Sequence, residues 1–276
     1  MASRLLLKQF MLIELHGGFD MTIYSVKDKK AILPLFNGWQ ETFIWSCLQD
    51  CMGMAYADDL RKPQTAQIIL GDFCFFAGTV NYEIIRNKPV NHQSEFIIMV
   101  PQNKQWEEAI EFVFQEKAFR FIRYATKKEK GAFNKSMLQM IVSQLPGKYE
   151  LRMIDNVLYE QLRVLPWAKD LCGNYPCYED YKINGIGAAI LKNGELVSGA
   201  SSYAFYKGGI EVEIDTREDE RRKGLALVCG AKLILECLKQ NLYPSWDAHN
   251  KGSLALAEKL GYKFDTEYTA YEISMF

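Results

Sequence analysis

The chain of 276 residues is 49% apolar and 24% charged, which is the composition of a globular protein with a sizeable core. Its 33 basic and 34 acidic residues nearly cancel, which argues against nucleic acid or a membrane surface as a partner and makes any anion site local. Seven irregularly spaced cysteines form no CxxC pair and only three histidines are present, so we expect no metal site, and reduced thiols in the cytoplasm.

The N-terminus carries two short apolar runs that Lys8 and Gln9 interrupt. No small-residue cleavage site follows these runs, and they are too short to span a bilayer. We therefore predict that residues 1–20 are an upstream or disordered extension. The GGN codons of Gly17 and Gly18, two codons upstream of Met21, have the spacing of a bacterial ribosome-binding site and predict that translation naturally starts at Met21.

A turn signal at 144–147, after a helical stretch at 135–143, predicts a boundary between an N-terminal α/β domain at 21–145 and a C-terminal domain at 148–276. The predicted order in the first half is helix, hairpin, strand, helix and strand. These elements lie at 42–51, 67–70 and 73–77 around Gly71-Asp72, 95–100, 103–115 and 119–125. No pattern in this half indicates a chemical activity.

The C-terminal half is predicted to alternate strands and helices around one hairpin. Predicted strands lie at 149–154, 187–191, 197–206, 210–216, 245–248 and 262–273, and predicted helices at 156–164, 223–239 and 252–260. Asn193-Gly194 is the strongest hairpin signal in the chain. The strand, helix, strand and helix after residue 210 form a βαβα unit.

The turn after the strand at 210–216 carries the clearest functional signal. Arg221, Arg222 and Lys223 precede Gly224 at the start of a long apolar helix. A helix N-terminus exposes N–H groups and a partial positive charge, and a glycine lets a phosphate approach the backbone closely. The alternative is a solvated charged turn. Because it has one glycine and no GKS or GKT, this turn is neither a Walker loop nor a dinucleotide-binding turn.

Two motifs in this half resemble those of the GNAT N-acetyltransferase superfamily. Arg221-x-x-Gly224-x-Ala226 matches the family's [Q/R]xxGx[G/A] pyrophosphate loop. Further along, the segment WDAHNKGSLALAEKLGYKF resembles the second cofactor motif, and the matching positions are Asn250, Ser253, Leu256, Gly261 and Tyr262. The resemblance covers 148–276. The segments LYPSWDA and LAEKLGY also resemble the GNAT subfamily that includes the zwittermicin A resistance acetyltransferases.

The resemblance implies an α/β fold with a mixed central sheet, flanking helices and a splayed pair of parallel strands, here 210–216 and 245–248, that holds acetyl-CoA. In such a site the pantetheine arm pairs with the backbone of Ile214, Asp215 and Thr216. By the same resemblance, Asn250 and Ser253 are expected to contact the pantetheine or the phosphates. The pyrophosphate is expected on the turn, which comprises Arg221, Arg222, Lys223, Gly224, Leu225 and Ala226.

The family chemistry is direct attack of an amine on the thioester, with a base that takes the proton and a backbone N–H that stabilises the oxyanion. Glu211, Glu213 and Asp215 alternate onto one face of their strand, and such crowding raises the pKa of at least one carboxyl group. Either Glu211 or Glu213 is the base, or these groups bind a cationic amine, or they are merely solvated on an open wall. We expect His249 to be a hydrogen-bonded residue at a strand end, and the alternative is a base or a substrate contact.

One position departs from the family pattern, because Ala257 stands where many members have a tyrosine that protonates the leaving thiolate. The acid is then Tyr262, Tyr268, Tyr271 or water, unless the domain binds CoA without catalysis. We predict an acetyl-CoA-dependent N-acetyltransferase acting on a small-molecule amine, with antibiotics among the candidate acceptors. The alternatives are a non-catalytic acyl-CoA sensor or interaction module, and a protein or peptide N-acetyltransferase. A homodimer is compatible with the sequence.

The N-terminal half is expected to be a degenerate duplicate of the same fold. Its strand–helix–strand order fits that fold, and the segment 100–103 is predicted to stand in place of the phosphate loop. Pro101 in that segment has no N–H to offer a phosphate. Such a half would cover the cleft and shape the substrate pocket.

Overall fold

The computed structural model describes residues 22–89 and 95–274. The predicted extension at 1–20 and the predicted start at Met21 lie outside these residues. Within the described residues, no helix is both long and apolar enough to cross a bilayer.

The described residues form thirteen strands and eight α-helices. The strands are β1 Tyr24–Ser25, β2 Met54–Ala57, β3 Thr65–Leu70, β4 Phe73–Gly78, β5 Phe96–Pro101, β6 Ala118–Thr126, β7 Tyr149–Met153, β8 Gly187–Lys192, β9 Glu195–Tyr206, β10 Gly209–Thr216, β11 Tyr243–Ser245, β12 Asp247–Ala248 and β13 Phe264–Ser274. The helices are α1 Thr42–Leu48, α2 Tyr82–Arg86, α3 Lys104–Phe114, α4 Lys135–Ser143, α5 Asn156–Val164, α6 Tyr178–Asn184, α7 Leu225–Lys239 and α8 Lys251–Leu260. Every predicted element overlaps an observed one, whereas β1, β2, α2 and α6 have no predicted counterpart.

Local chemistry explains many of these boundaries. The side chain of Asn103 accepts hydrogen bonds from the second and third N–H groups of α3, and Asp155 caps α5 through the N–H of Leu158. Asn193 and Gly194 both adopt positive φ, at 52° and 83°, which is the geometry of a tight hairpin turn between β8 and β9. These elements therefore begin and end within two residues of their predicted bounds.

The two halves repeat one order of elements. In each half a first strand and a helical segment precede three antiparallel strands, β2–β4 and β8–β10. A helix follows, then a strand parallel to the last of the three, then a second helix and a final strand. The mixed α/β fold and the duplicated first half are thus confirmed.

The prediction that residues 100–103 of the first half stand in place of the phosphate loop is wrong. The turn at 217–224 follows β10, and the equivalent connection follows β4, at residues 79–81, rather than β5. The following helix, α2, has five residues against fifteen in α7, and Asn81 caps it by accepting from Glu83 and Ile84. β4 and β5 remain paired from Phe73 to Phe76, so this pair is not splayed there.

The final strand of each half pairs with the other half. The eight-stranded sheet has the order β1-β2-β3-β4-β5-β13-β6-β12, and β13 is antiparallel to both β5 and β6. The five-stranded sheet has the order β11-β10-β9-β8-β7. Strands from the second half therefore complete a sheet that the first half begins. This sheet spans the predicted boundary at 145–148, and the division into two domains stays a prediction.

The strand predicted at 245–248 is divided in two at Trp246. β11 pairs in parallel with β10, whereas β12 leaves it and pairs antiparallel with β6. The indole of Trp246 is 3% exposed and packs edge-on against Tyr262, while its carbonyl accepts a 2.6 Å hydrogen bond from the Thr126 hydroxyl. These contacts fix the break, and the predicted splayed parallel pair is confirmed.

Helix α7 is held firmly against the five-stranded sheet. Leu225, Leu233 and Ile234 pack in one cluster with apolar residues of β10, and burying such a side chain stabilises the fold by about 1.5–3 kcal/mol. Gly230 allows a close approach to α8, because a Cβ there would lie 2.7 Å from Leu260 Cδ1. The N-terminus of α7 is therefore fixed next to the carboxyl end of β10.

Candidate functional site

A cavity of about 1160 Å³ lies between the two halves, at the point where β12 diverges from β10. The second half contributes the end of β10 and the first residues of α7 and α8. The first half contributes Asp72, Phe73, Phe96, Ile98 and Arg123. The volume exceeds the ~300–1,000 Å³ of common small-molecule pockets, so two reactants can be accommodated.

Beyond Glu211, one edge of β10 faces this cavity. The pairing with β11 runs from Gly209 to Glu211, whereas the pairing with β9 continues to Thr216. The N–H groups of Ile214 and Thr216 donate to the carboxylates of the residues before them, at 3.2 Å and 2.7 Å. Ile214, Asp215 and Thr216, the predicted pantetheine contacts, all line the cavity. An extended chain could pair with this edge as an added strand.

The start of α7 forms the opposite end of the groove. Gly224 lies just before the helix at φ +81°, and Arg222 is also left-handed at +60°. The Val228 N–H bonds to the Gly224 carbonyl, so the earlier N–H groups, including those of Leu225 and Ala226, point out of the helix end. A Cβ on Gly224 would meet nothing within 4 Å. The turn therefore presents backbone donors to open space, as an anion site requires.

The three cations of the turn have different surroundings. Arg221 and Arg222 both line the cavity, and Arg221 Nε is anchored to the Thr216 carbonyl at 3.0 Å. Lys223 lies outside the set of described residues that line the cavity. Its Nζ donates to the Asp219 carbonyl at 2.7 Å and lies 3.0 Å from Glu220 Oε2. Two of the three predicted cations thus face the groove, and the third supports the turn.

Glu220 anchors the turn, a role that was not predicted from the sequence. Its side chain is 1% exposed and accepts from Lys192 Nζ at 2.5 Å and from the Tyr149 hydroxyl at 2.7 Å. The hydrogen bonds from Lys192, Tyr149 and Lys223 lower the pKa of the Glu220 carboxyl to about 2. The carboxylate ties the loop to β7 and β8. Its position beside the cations was visible in the sequence, but its partners on remote strands were not.

Asn250 and Ser253 meet at the start of α8, where both line the cavity. Asn250 Oδ1 caps the helix by accepting from the Ser253 N–H at 2.9 Å. Ser253 Oγ accepts from Trp246 Nε1 at 3.1 Å, which leaves its own proton able to point elsewhere. The second motif is therefore connected directly to the residue at which the strand breaks.

The two predicted bases differ in their surroundings. Glu211 is 4% exposed, and its carboxylate accepts from the Thr42 hydroxyl at 2.5 Å and from the Asp247 N–H at 2.7 Å. Burial, followed by the charge of Asp247, raises the pKa of Glu211 to about 7. Glu211 is not among the described residues that line the cavity. Glu211 lies where β10 and β12 begin to diverge. Its backbone pairs with Ser245, just before the break at Trp246, and its carboxylate accepts from the N–H of Asp247, just after the break.

Glu213 is half-buried and lines the cavity. Burial, followed by the charges of Asp170 and Asp215, raises its pKa to about 8. The register of β10 against β9 shifts between Glu211 and Val212, so the strand alternation that grouped these acids is interrupted there. Of the two carboxylates, Glu213 combines access to the cavity with a pKa close to neutrality, as a general base requires.

Several side chains that could donate a proton lie away from the groove. Tyr262 donates to the Pro244 carbonyl and Tyr271 donates to Glu111, each at 2.6 Å. Ala257, at the position where the family tyrosine is expected, is fully buried in the core. Among the described residues, the tyrosine that lines the cavity is Tyr203, whose hydroxyl accepts from the Asp72 N–H at 3.0 Å.

The comparison with known families is decisive for the class of protein. A family model described as GNAT acetyltransferase matches residues 33–271, which includes most of both halves. The chain belongs to the GNAT acetyltransferase family. The sequence resemblance placed this family at 148–276, and the match extends it through the first half. The zwittermicin A resistance subfamily stays a prediction.

Individual relatives agree with this assignment to the GNAT family. The chain is 46% identical to a GCN5-related N-acetyltransferase-like protein from Streptococcus suis 89/1591, with a TM-score of 0.84, over 89% of this chain and 98% of that one. It is 27% identical to the uncharacterized N-acetyltransferase YdfB of Bacillus subtilis (strain 168), over 83% of this chain and 89% of YdfB. A tandem GNAT protein from the clavulanic acid biosynthesis pathway shares the fold, with 8% identity and a TM-score of 0.51 over 92% of this chain and 99% of that one.

Proposed function

We propose that this protein transfers an acetyl group from acetyl-CoA to an amine of a small molecule. The observation that carries the proposal is the open edge of β10 beside the start of α7. Past Glu211, β11 no longer pairs with β10, and the exposed donors of the helix start lie at the far end of the same groove. A long ligand with one extended arm and one anionic end matches this arrangement.

The residues present fit acetyl-CoA along the length of the groove. The N–H groups of Ile214 and Thr216 can donate to the amide-containing pantetheine arm. They would then give up their present hydrogen bonds to the carboxylates of Glu213 and Asp215. The N–H groups of Leu225 and Ala226, together with the guanidinium of Arg221, are suited to a diphosphate. When bound, acetyl-CoA supplies the thioester that the acceptor amine attacks.

Glu213 is the proposed base. It faces the cavity, and its raised pKa of about 8 leaves it a strong enough base to take a proton from an ammonium or an attacking amine near neutral pH. The amine nitrogen bonds to the acyl carbon as the carbon–sulfur bond breaks, and the proton taken by Glu213 is returned to the thiolate through the solvated cavity. A positioned base contributes about 10²–10⁴-fold to such a step.

The acceptor side of the cavity is shared between the two halves. Phe73, Phe96 and Ile98 of the first half form an apolar surface, and Asp72 adds a carboxylate there. Asp170 of the second half lies close enough to Glu213 to act on its ionisation. Apolar walls with acidic groups favour a small molecule that carries an amine and some apolar surface over an anionic acceptor.

A turnover screen with acetyl-CoA and a library of small amines tests the proposal, with thiol release as the readout. We expect turnover of at least one cationic amine and its loss in Glu213→Gln. Acetyl-CoA binding without turnover of any amine would instead favour a non-catalytic acyl-CoA sensor or interaction module. Turnover confined to peptide amines would favour a protein or peptide acetyltransferase.

A further inference from the structure

Arg123 of the first half makes a concentrated set of contacts with the diverging strand β12. Its Nε lies 2.7 Å from Asp247 Oδ1, and its Nη2 donates to the Asp247 carbonyl at 3.3 Å. Nε also lies 3.2 Å from the Tyr268 hydroxyl, and Nη1 lies 3.4 Å from His249 Nδ1. The guanidinium stacks over the ring of Phe73 at 4.8 Å, and Arg123 is only 5% exposed.

Strand β6 provides the support that β12 needs. The backbone ladder between them has two residue pairs, Asp247 with Ala125 and Ala248 with Tyr124. Such a short ladder is weak by itself, because few backbone hydrogen bonds offset the entropy of ordering the chain. Thr126, also on β6, holds the carbonyl of Trp246 just before β12. Arg123 donates to the side chain and the carbonyl of Asp247. Two side chains of β6 therefore hydrogen-bond to Trp246, where the strand breaks, and to the residue that follows it.

We propose that Arg123 is a positioning residue for the transfer reaction: by holding Asp247 and His249 on β6, it keeps β12 away from β10 and the groove between them open. The inference rests on the proposed function and extends it to the half that carries no cofactor motif. It also gives the first half a role in the reaction, since Arg123 belongs to a strand of that half and lines the cavity.

The geometry of these contacts requires arginine in particular. A planar guanidinium can donate to a carboxylate, a carbonyl and an imidazole at once, whereas a lysine ammonium acts as a compact point charge. Because the guanidinium has only donors, its contact with His249 requires the lone pair on Nδ1 and places the proton of the neutral ring on Nε2. Burial and the charge of Arg123 lower the pKa of His249, which favours that neutral form.

Arg123 also acts electrostatically on Glu213, since both line the cavity. The groups that influence Glu213 are Asp170 from the segment before α6, Asp215 on its own strand and Arg123 from β6. Glu213 in turn acts on Tyr203 of β9. Asp170 and Asp215 raise the pKa of Glu213 and Arg123 lowers it, so the removal of Arg123 moves that pKa upward. A residue that contributed only packing, without charge, would not produce this change.

Three variants separate these effects. Arg123→Met removes the charge and the hydrogen bonds. The double variant Arg123→Met with Asp247→Asn removes both charges, so no buried carboxylate is left unpaired. Arg123→Lys keeps the charge but loses the planar fork. Each is purified as the full chain and checked by thermal melting. Acetyl-CoA affinity is measured by calorimetry, and the Glu213 carboxyl is titrated by NMR with labelled glutamate, assigned with Glu213→Gln.

We expect the dissociation constant for acetyl-CoA to rise by about tenfold or more in the double variant and in Arg123→Lys. Glu213 should titrate at higher pH in the double variant and near its wild-type position in Arg123→Lys. If Arg123→Met fails to fold, these two variants still decide the question. Wild-type affinity and wild-type Glu213 titration in the double variant would show that Arg123 only neutralises Asp247 and would overturn the inference. Absence of acetyl-CoA binding in the wild type would instead remove the proposed function itself, and this inference with it.

Discussion

Replacing Glu213 by glutamine is the most informative change to the proposed chemistry. The pKa of Glu213 is raised to about 8, first by burial and then by Asp170 and Asp215. About one tenth of the molecules therefore carry the carboxylate at pH 7, and about nine tenths carry it at pH 9. Because the carboxylate is the active base, kcat/KM of the wild type should rise about tenfold between these two pH values.

The assay uses initial rates of thiol release over this range, with an acceptor whose amine stays neutral throughout. Glu213→Gln should lower kcat/KM by about 10²–10⁴-fold and abolish the rise with pH. Glu211→Gln is the matched control, because Glu211 lies on the same strand but bonds to Thr42 and to the Asp247 N–H. That variant should keep the rise. A pH dependence that persists unchanged in Glu213→Gln would refute the assignment of the base.

The same pKa predicts how stability depends on pH. The pKa of Glu213 is raised in the folded state above its usual 4.5, so folding disfavours ionisation. The stability contributed by the neutral carboxyl is present below pH 4.5 and is lost as the pH rises toward about 8. Glutamine cannot ionise, so the Tm of Glu213→Gln should increase relative to wild type across that window. An unchanged Tm difference between about pH 5 and pH 9 would contradict this reasoning.

Three further substitutions test the framework around the site. Gly224→Ala should cost about 1 kcal/mol through its φ of +81°, without a clash, and calorimetry should show weaker acetyl-CoA binding. Glu220, whose pKa is lowered to about 2 mainly by Lys192, contributes stability that is complete above pH 4.5 and lost as the pH falls toward 2. The stability of Glu220→Gln, followed by circular dichroism during acid unfolding, should therefore depend less on pH than that of the wild type. Gly71→Ala should lower the Tm, because its φ is +56° and the new Cβ would collide with the Tyr203 hydroxyl.

Local signals in the sequence were sufficient for most of the secondary structure. The hairpin at Asn193-Gly194 and the helix capped by Asp155 depend on residues within a few positions of one another. The division at Trp246 depends instead on Thr126, which is 120 residues away in sequence. The placement of β13 between β5 and β6 is likewise a long-range pairing. Neither has a periodicity that could have predicted it.

The candidate site shows the same contrast. The turn at 221–226 was predicted because its cations and its glycine are adjacent in the sequence. The alternation of Glu211 and Glu213 could not rank them, since their difference comes from Thr42, which is 169 residues away and bonded to Glu211. Arg123 gave no signal at all, because a single arginine in a strand acquires its role only through β12 and Phe73.

Calorimetric titration of acetyl-CoA into the wild type and into Gly224→Glu tests the central claim most directly. The position beside Gly224 is open, so the new side chain should fit, apart from the strain of its left-handed backbone, while its carboxylate repels a diphosphate at the helix start. Gly224→Ala controls for that strain. We expect micromolar binding by the wild type, weaker binding by the alanine variant and none by the folded glutamate variant. Wild-type binding that persists in Gly224→Glu would place the coenzyme elsewhere, and no binding by the wild type would contradict the proposed acetyl-CoA-dependent activity.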